Sequence, residues 1–440
     1  MAFVHPQSCE CMKSELDIFT VPPTQTSIET GNWVEYNPIA TLDDGSSIEF
    51  SVSGSGQDYL DAANTQLYVK AKITQADGTA LANDAAVGPI NLFLHSLFSD
   101  VEVSLNETPV TSSNNTYAYR AYIETLLSYG TTAKQSQLTS QLYYKDEISA
   151  MEEHDPYNAA AGANKGFIAR SAHTIRSRTF DMIGGIHSDL FFQDKYILSD
   201  VGMRIRLVRN KDAFCLMAAA GSTFKVKILE CKLYVRKVKI SPSVFIAHNK
   251  ALEVGNAKYP IRRAVCKTYT IPAGNLNHTQ ENLFTGQLPT RIVIGCVDND
   301  SFNGRYAKNP YNFKHFDLTQ LKVYLDGQQH SVIPVEPNFT ANTYITAYAN
   351  LFAGTGKLMK DEGTDIRRED FRAGYALYAF DLTADLAEEG HFNLMKHGNV
   401  RLDLKFLVGL PNTINVIAYA EFESVLEIDK SRNIIIDYKN

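Results

Sequence analysis

Short runs in which apolar and polar residues alternate are the main pattern along the chain. Apolar residues occupy every second position of VEVSL (101–105) and LKVYL (321–325). Because consecutive side chains of a strand point to opposite faces, each apolar set would share one face of a sheet. Turn signals such as DDGS, ADGT and DNDSFNG separate these runs from others of the same kind. The pattern therefore predicts many short β-strands joined by turns.

Two segments carry helical signals instead. AYRAYIETLLSYG ends at Gly130, and SPSVFIAHNKALEVG offers Ser241 as N-cap, Pro242 at the first helical position and Gly255 as the stop. Strands do not alternate with helices of comparable length, which disfavours a βαβ architecture. Short strands with long connections favour β-sandwiches, and among these the jelly roll over the meander.

The two halves of the chain repeat the same motifs in the same order. The segments at 115–130 and 342–356 both begin NTY, and GMRIRLV (202–208) parallels NVRLDLKFL (399–407). Ordered correspondences over most of each half indicate duplication of one unit, rather than the general similarity of strands and turns. The extra length of the first unit is expected at 131–166, a polar, turn-rich stretch that is predicted to be an exposed loop.

Composition and charge are those of an ordinary globular chain. The 440 residues are 44% apolar and 21% charged, with a net charge of −7, so nothing marks the whole chain as a nucleic-acid binder. No apolar window of about 18 residues occurs, and no transmembrane segment is expected. The opening MAFVHPQSCECMKSE is unlike a secretory signal, from which we expect synthesis in the cytosol.

The sequence offers no strong catalytic or metal motif. GxSxG, HExxH, a P-loop and paired CxxC are absent, so we expect no enzyme activity and no cofactor. Cys231, Cys266 and Cys296 lie in strand-like runs, where a thiol packs as a small apolar residue. Asp298 and Asp300 have the spacing of a calcium loop but lack its distal glutamate, so a turn is the expected structure there.

Two further groups of polar residues have a structural and a chemical interpretation. MEEHD (151–155) is expected to be a solvated acidic cluster. His95 and His315 stand at matching positions of the two halves and are predicted to lie in corresponding strands. Descent from one ancestral residue explains this pair more simply than a shared ligand does.

Several segments carry a resemblance to a known family. They are ELDIFTVPPTQTSIETGNWVEYNP near the start, KYPIRR (258–263), GQLPTRIVIG (286–295), YAFDLT (378–383) and EIDKSRNIIIDY near the end. They resemble the double jelly-roll, hexon-like major capsid proteins of Polinton/Maverick elements and adintovirus-like DNA viruses. The resemblance spans nearly the whole chain. It rests on the general sequence similarity of these segments rather than on one catalytic or ligand-binding motif. It implies an all-β fold of two tandem eight-stranded jelly-roll β-sandwiches with a short linker helix.

The resemblance also implies a function in a virion. Three chains would form a pseudo-hexameric capsomer, and capsomers would assemble with penton and minor capsid proteins into an icosahedral shell. Double-stranded DNA would be enclosed without sequence-specific contact, and assembly would take place in the host nucleus after synthesis in the cytoplasm. The alternative is a tandem β-sandwich carbohydrate-binding, lectin-like module. A lectin would usually show a secretory signal, disulfides or a convincing calcium loop.

These observations divide the chain into five parts. They are an N-terminal arm (1–28), a first jelly roll (29–240), a linker helix (241–256), a second jelly roll (257–430) and a C-terminal tail (431–440).

The two chain ends are the candidate connectors between subunits. Residues 1–14, which include Cys9 and Cys11, have weak structure of their own and are expected to order only against a neighbour. The β-prone run in the tail is predicted to add a strand to an adjacent sheet. Its candidate residues are Ile434, Ile435, Ile436 and Tyr438.

A basic stretch between Arg204 and Lys239 is the candidate inward face. Five of its residues are predicted to line exposed sheet surface: Lys225, Lys227, Arg236, Lys237 and Lys239. We expect either a solvated face or a face complementary to the next subunit. The alternative is a surface near packaged DNA, which usually needs a denser cluster of cations.

Overall fold

Antiparallel strands build both halves of the molecule. The computed structural model describes residues 4–42, 45, 47–54, 56–158, 160–330, 334–386 and 391–438. The strands of the first half are β1 (Ile28–Tyr36), β2 (Ile48–Val52), β3 (Asp58–Gln75), β4 (Val87–Pro89), β5 (Phe98–Leu105), β6 (Thr108–Pro109), β7 (Phe180–Gly185), β8 (Met203–Arg209), β9 (Leu216–Ala218) and β10 (Phe224–Ile240). Those of the second half are β11 (Ala257–Ile271), β12 (Asn277–Gln287), β13 (Arg291–Asp298), β14 (Leu318–Leu325), β15 (Gln328–Gln329), β16 (Leu377–Asp381), β17 (His397–Phe406), β18 (Ile414–Ile428) and β19 (Ile434–Ile436).

Helices occupy the connections between these strands. They are α1 (Phe93–Ser96), α2 (Tyr117–Ser128), α3 (Thr131–Gln135), α4 (Lys165–Ser171), α5 (Asp212–Cys215), α6 (Pro242–Ala251), α7 (Asn299–Asn303), α8 (Ile345–Gly354) and α9 (Arg368–Arg372). Short 3-10 helices add single turns, for example at Gln137–Gln141 and Asp189–Phe192. No helix of the described ranges is long and apolar enough to cross a membrane.

The two halves have the same topology. The first roll has a sheet of order β1-β10-β3-β7 and a second of order β2-β8-β5-β6. In the second roll the orders are β11-β18-β13-β16 and β12-β17-β14-β15. Replacing each strand by its counterpart converts one set into the other. The prediction of an all-β fold with two tandem eight-stranded jelly rolls is therefore confirmed, and the matching orders support duplication.

Three strands lie outside this eight-stranded plan: β4 and β9 in the first roll and β19 in the second. In the first roll β4 pairs with β9. In the second roll β13 pairs with only the first half of β18, and β19 pairs with the other half at Leu426–Ile436 and Ile428–Ile434. The longer β3 of the first roll covers the corresponding stretch of β10 by itself. The C-terminal strand thus completes a sheet that the short β13 leaves open.

The middle of the sheet β11-β18-β13-β16, made of β13, β16 and the first half of β18, is buried on both of its faces. Residues 292–298 of β13 and 414–420 of β18 are all buried, whereas β10 alternates buried and exposed positions. One face packs into its own sandwich, and α8 with α2 of the first roll lies on the other. A strand covered on both sides has no polar face, which explains the continuous apolar run IVIGCV (292–297).

The predicted linker helix lies between the two rolls. β10 ends at Ile240, α6 begins with Pro242 at its first position, and β11 starts at Ala257. Ser241 precedes the helix with extended backbone, but its hydroxyl contacts Ser243 Oγ at 3.0 Å instead of capping a backbone N–H.

Two expectations about local structure were wrong. His95 lies in α1 and His315 in the connection before β14, so neither is in a strand. The segment 131–166 is not an exposed loop. Leu138, Tyr143 and Met151 within it are buried against the core. Its polar residues bond to the second roll, which a local pattern cannot show.

Candidate assembly surfaces

Aromatic side chains from both rolls interlock at the interface between them. Tyr122 of α2 stacks on Tyr311 of the second roll with ring centroids 4.0 Å apart and planes 1° apart. The Tyr311 hydroxyl lies 2.7 Å from Ser96 Oγ, which belongs to the first roll. Tyr119 stacks on Phe302 at 5.6 Å. Such pairs add to the free energy of burial and fix the relative position of the two elements.

A buried ionic network lies beside these rings. Arg120 Nη2 lies 2.6 Å from Asp189 Oδ1, and Arg120 Nε lies 2.8 Å from Glu124 Oε1. The same Asp189 oxygen accepts the backbone N–H of Ala264 in the second roll at 2.9 Å. Burial alone would raise the pKa of Glu124, but Arg120 and His187 hold it below its ordinary value. The network is charged, and it joins α2 to β11.

The segment 131–166 supplies a second set of polar contacts to the second roll. Lys145 Nζ lies 2.6 Å from Asp370 Oδ2. Lys134 Nζ donates to the carbonyl oxygens of Leu126 at 2.7 Å and Thr364 at 2.5 Å. Burial lowers the pKa of Lys134 to about 7. This segment therefore lies between the rolls and bonds to the second one.

The acidic sequence MEEHD belongs to the same interface. Glu152 accepts the backbone N–H of Asn309 and the side-chain amide of Asn312, each at 2.6 Å. Lys314 Nζ lies 3.5 Å from the Glu152 carboxylate. The expectation of a solvated cluster was wrong because the second roll supplies partners that lie more than 150 residues away in sequence.

Asp298 and Asp300 are occupied by cationic side chains. Lys314 Nζ lies 2.6 Å from Asp298, and Lys308 Nζ lies 3.4 Å from Asp298 and 3.7 Å from Asp300. Arg305 also pairs with Asp300 at 2.7 Å. Ammonium groups therefore take the position that a divalent cation would need. Among the described residues, no group of three or more His, Cys, Asp or Glu is arranged to hold a metal.

The two repeated histidines have structural surroundings. His95 is fully buried, with Nδ1 2.9 Å from the Tyr117 hydroxyl and Nε2 3.1 Å from Gln141 Oε1. His315 stacks on Phe339 with ring centroids 3.9 Å apart. The two rings lie in different environments, so they do not form a paired ligand.

The basic residues of β10 do not form one uniform face. Arg236 pairs with Asp61 at 2.6 Å and Lys239 with Glu29 at 3.1 Å, while Lys237 Nζ donates to the carbonyl oxygen of Ser53. Within the described part of the chain, Lys225 and Lys227 have no carboxylate within ion-pair distance. They lie at the start of β10, far from the paired cations at its end. Acidic residues of β1 and β3 thus neutralise the basic residues at the C-terminal end of β10.

The C-terminal tail is fastened inside its own chain. Ile434–Ile436 form β19 on β18, and the Tyr438 hydroxyl donates to the Val110 carbonyl oxygen in the first roll at 2.9 Å. The Tyr438 ring also lies 4.7 Å from the Arg263 guanidinium. The tail was predicted to add a strand to an adjacent sheet. In the structure the sheet that receives it is that of its own second roll.

The N-terminal arm is exposed from Val4 to Ser27. Phe19 is 93% exposed and Val21 87% exposed. Cys9 and Cys11 are exposed as well, whereas the other four cysteines are buried. Burial raises the pKa of those four thiols to about 12, which keeps them protonated and unreactive.

Sequence reasoning missed the residues that hold the two rolls together. These are Arg120, Asp146, Asp189 and Tyr311. The one signal was the pair Arg120 and Glu124 in YAYRAYIETLL, two opposite charges four residues apart in an otherwise largely apolar helix. The partners of these side chains lie in distant parts of the sequence.

The comparisons with known proteins agree with this architecture. No protein-family model matches the chain. An uncharacterized protein of Caenorhabditis elegans is 25% identical over 433 residues, which cover 95% of this chain and 99% of that protein.

Solved structures of viruses are similar in fold. A chain of the Sputnik virophage matches with a TM-score of 0.67 and 12% identity, covering 98% of this chain and 93% of its own. The mavirus major capsid protein matches with a TM-score of 0.52 and 11% identity, covering 99% of this chain and 95% of its own. The Faustovirus major capsid protein matches with a TM-score of 0.58 and 8% identity, covering 93% of this chain and 92% of its own. The chain therefore has the double jelly-roll fold of viral major capsid proteins.

Proposed function

We propose that the protein is a major capsid protein whose trimers are pseudo-hexameric capsomers of an icosahedral shell. The observation that carries this proposal is the close packing of two rolls with matching strand order in one chain. Three such chains around a threefold axis present six similar rolls, so the capsomer fills a near-hexagonal place in a surface lattice. The full-length likeness in fold to viral capsid proteins supports this proposal.

The finer parts of the proposal concern partners and location. Capsomers would contact one another, penton proteins and minor capsid proteins, and the shell would enclose double-stranded DNA without reading its sequence. The chain would be made in the host cytoplasm and assembled in the nucleus. We assign no enzyme activity, because structural capsid proteins are the neighbours in fold. Among the basic residues of β10, Lys225 and Lys227 are the cations best placed to contact DNA.

Size-exclusion chromatography with light scattering tests the proposal directly. We expect a stable trimer, with hollow particles visible by electron microscopy, since obligate interfaces commonly bury more than about 2,000 Å². A monomer that never forms particles would contradict the capsid function. A monomer retained on a glycan column would instead support the lectin-like alternative.

The N-terminal arm is proposed to act between capsomers. Deleting residues 1–14 should leave trimers intact, because no described part of this segment packs on a roll, but should lower the yield of shells. The matched measurements are light scattering for the trimer and particle counts for the shell. Normal particle yield from the deleted chain would rule out this role.

A further inference from the structure

An apolar groove of about 840 Å³ lies where the linker helix meets the start of both rolls. Its walls come from β1, β3, α6, β11 and the connection before β8. Six residues supply much of the apolar lining: Ile28, Tyr59, Tyr196, Val244, Leu252 and Tyr259. An open groove of this size with mainly apolar walls is suited to an apolar segment of another chain.

Hydrogen bonds hold the walls of the groove in place. The Tyr59 hydroxyl lies 3.0 Å from His248 Nδ1 of α6. The Tyr259 hydroxyl donates to the Tyr196 carbonyl oxygen at 3.1 Å and accepts the Leu198 N–H at 3.2 Å. The groove therefore joins both rolls and the linker, and it does not depend on a bound partner for its shape.

The chain itself carries an apolar segment with nothing to pack on. In the arm, Leu16, Ile18, Phe19 and Val21 are each at least 67% exposed. They form a cluster within six residues. Exposure of these side chains to water is unfavourable, so their burial would be strongly favoured. No other described part of the chain covers them.

Two prolines between this cluster and its own groove favour an extended arm over one that turns back into the groove. Gln25 bonds to both the N–H and the carbonyl oxygen of Ile28, at 2.8 and 3.2 Å, which fixes the point where the arm leaves β1. Pro22 and Pro23 favour an extended chain of about 3.1 Å per residue. Val21 would then lie up to about 20 Å from the groove lip at Ser27.

We propose that the groove receives the arm of a second copy of this chain, with Leu16–Val21 as the inserted segment. This inference rests on the proposed capsid function and names the contact by which capsomers would join. Charge favours the same pairing. The arm carries Glu10, Glu15 and Asp17 against Lys13, and the groove carries Lys195 and Lys258 against Asp194.

Disulfide trapping between two differently tagged chains tests the exchange. Both chains carry Cys9→Ser and Cys11→Ser, one adds Thr20→Cys in the arm, and the other adds Ala251→Cys in the groove. They are co-expressed, assembled and mildly oxidised, and a non-reducing gel reports the linked heterodimer. In the matched control Ala219→Cys replaces Ala251→Cys, since Ala219 is also exposed but lies before β10, at the end of the first roll far from α6.

We expect linked heterodimers with Ala251→Cys at no less than ten times the level of the Ala219→Cys control. Adding Ile18→Asp and Phe19→Asp to the arm should reduce the linked fraction at least tenfold. Particles without linkage above the control would overturn the inference and leave the capsid function standing. Linkage that forms only when both cysteines are in one chain would show that the arm fills its own groove and would also overturn it. A wild-type chain that stays monomeric would overturn the capsid function together with this contact.

Discussion

Asp146 is the residue on which several buried contacts between the rolls converge. Its carboxylate lies 2.7 Å from Arg170 Nη2, and both side chains are fully buried. Asn164 donates to the same carboxylate at 2.9 Å and Asn309, from the second roll, at 3.2 Å. Its backbone carbonyl accepts the Tyr375 hydroxyl at 2.9 Å. Buried charge is tolerated here because every oxygen has a donor.

Asp146→Ala is therefore expected to lower the free energy of unfolding by about 3–5 kcal/mol, because it leaves Arg170 buried without a counter-charge. Denaturant-induced unfolding followed by fluorescence measures the loss. The matched control is Asp300→Ala, which removes a carboxylate from a half-exposed pair with Arg305 and should cost less than about 1 kcal/mol. Equal effects from the two substitutions would contradict a structural role for the buried pair.

His95 gives the fold a dependence on pH. Burial, assisted by the nearby His187, holds the pKa of His95 well below its ordinary value. Below pH 6.5 the unfolded chain binds a proton at this residue that the folded chain does not bind. The free energy of unfolding is therefore expected to fall as the pH drops below 6.5.

His95→Gln should make this decline shallower, by up to about 2 kcal/mol between pH 6.5 and pH 5. Glutamine keeps a polar group near Tyr117 and Gln141 but does not titrate. Thermal unfolding at a series of pH values provides the comparison, with His5→Gln in the exposed arm as control. If the variant follows the wild-type slope, His95 is not the titrating group.

Among the elements, β19 shows how a strand of three residues can complete a sheet. Ile434 and Ile436 pack against the core, while Ile435 is 46% exposed on the other face. Ile436→Asp should cost about 2–3 kcal/mol because it places a carboxylate against apolar side chains. Ile435→Asp, its neighbour on the outer face, should change the free energy of unfolding by less than about 0.5 kcal/mol. Equal losses would mean that the strand is not held in this register.

Element type was predictable from sequence where the information is local. Alternation located β5 and β14, and the sequence Ser-Pro followed by a distant glycine located α6. The function of 131–166 was not predictable, because its buried residues are scattered among polar ones and their partners lie in the second roll. Likewise, β19 is needed only because β13 is short, which concerns the pairing of strands rather than their own residues.

At the scale of the whole molecule, the important property is that the two rolls form one unit. Three sets of contacts join the rolls: the stacked rings, the Arg120 network and the polar bonds of the segment 131–166. In addition, Tyr438 bonds the C-terminal tail to the first roll. A capsomer of six rolls keeps its shape only if the pair within each chain does not flex. The linker helix is not what holds the pair together, since most contacts lie elsewhere.

Cutting the linker tests this view of the molecule. With a protease site inserted after Glu253, where Val254 is 92% exposed, cleavage should give two fragments on a denaturing gel and one undivided peak on size-exclusion chromatography. The buried aromatic and ionic contacts hold the fragments together without the covalent link. Adding Tyr311→Ala and Arg120→Ala to the cleaved chain removes one ring stack and the central cation, and should release part of the material as separate rolls. Separation of the cleaved wild-type fragments in native buffer would show that the rolls are joined mainly by their tether, and a rigid six-roll capsomer would then need contacts between chains to hold each pair.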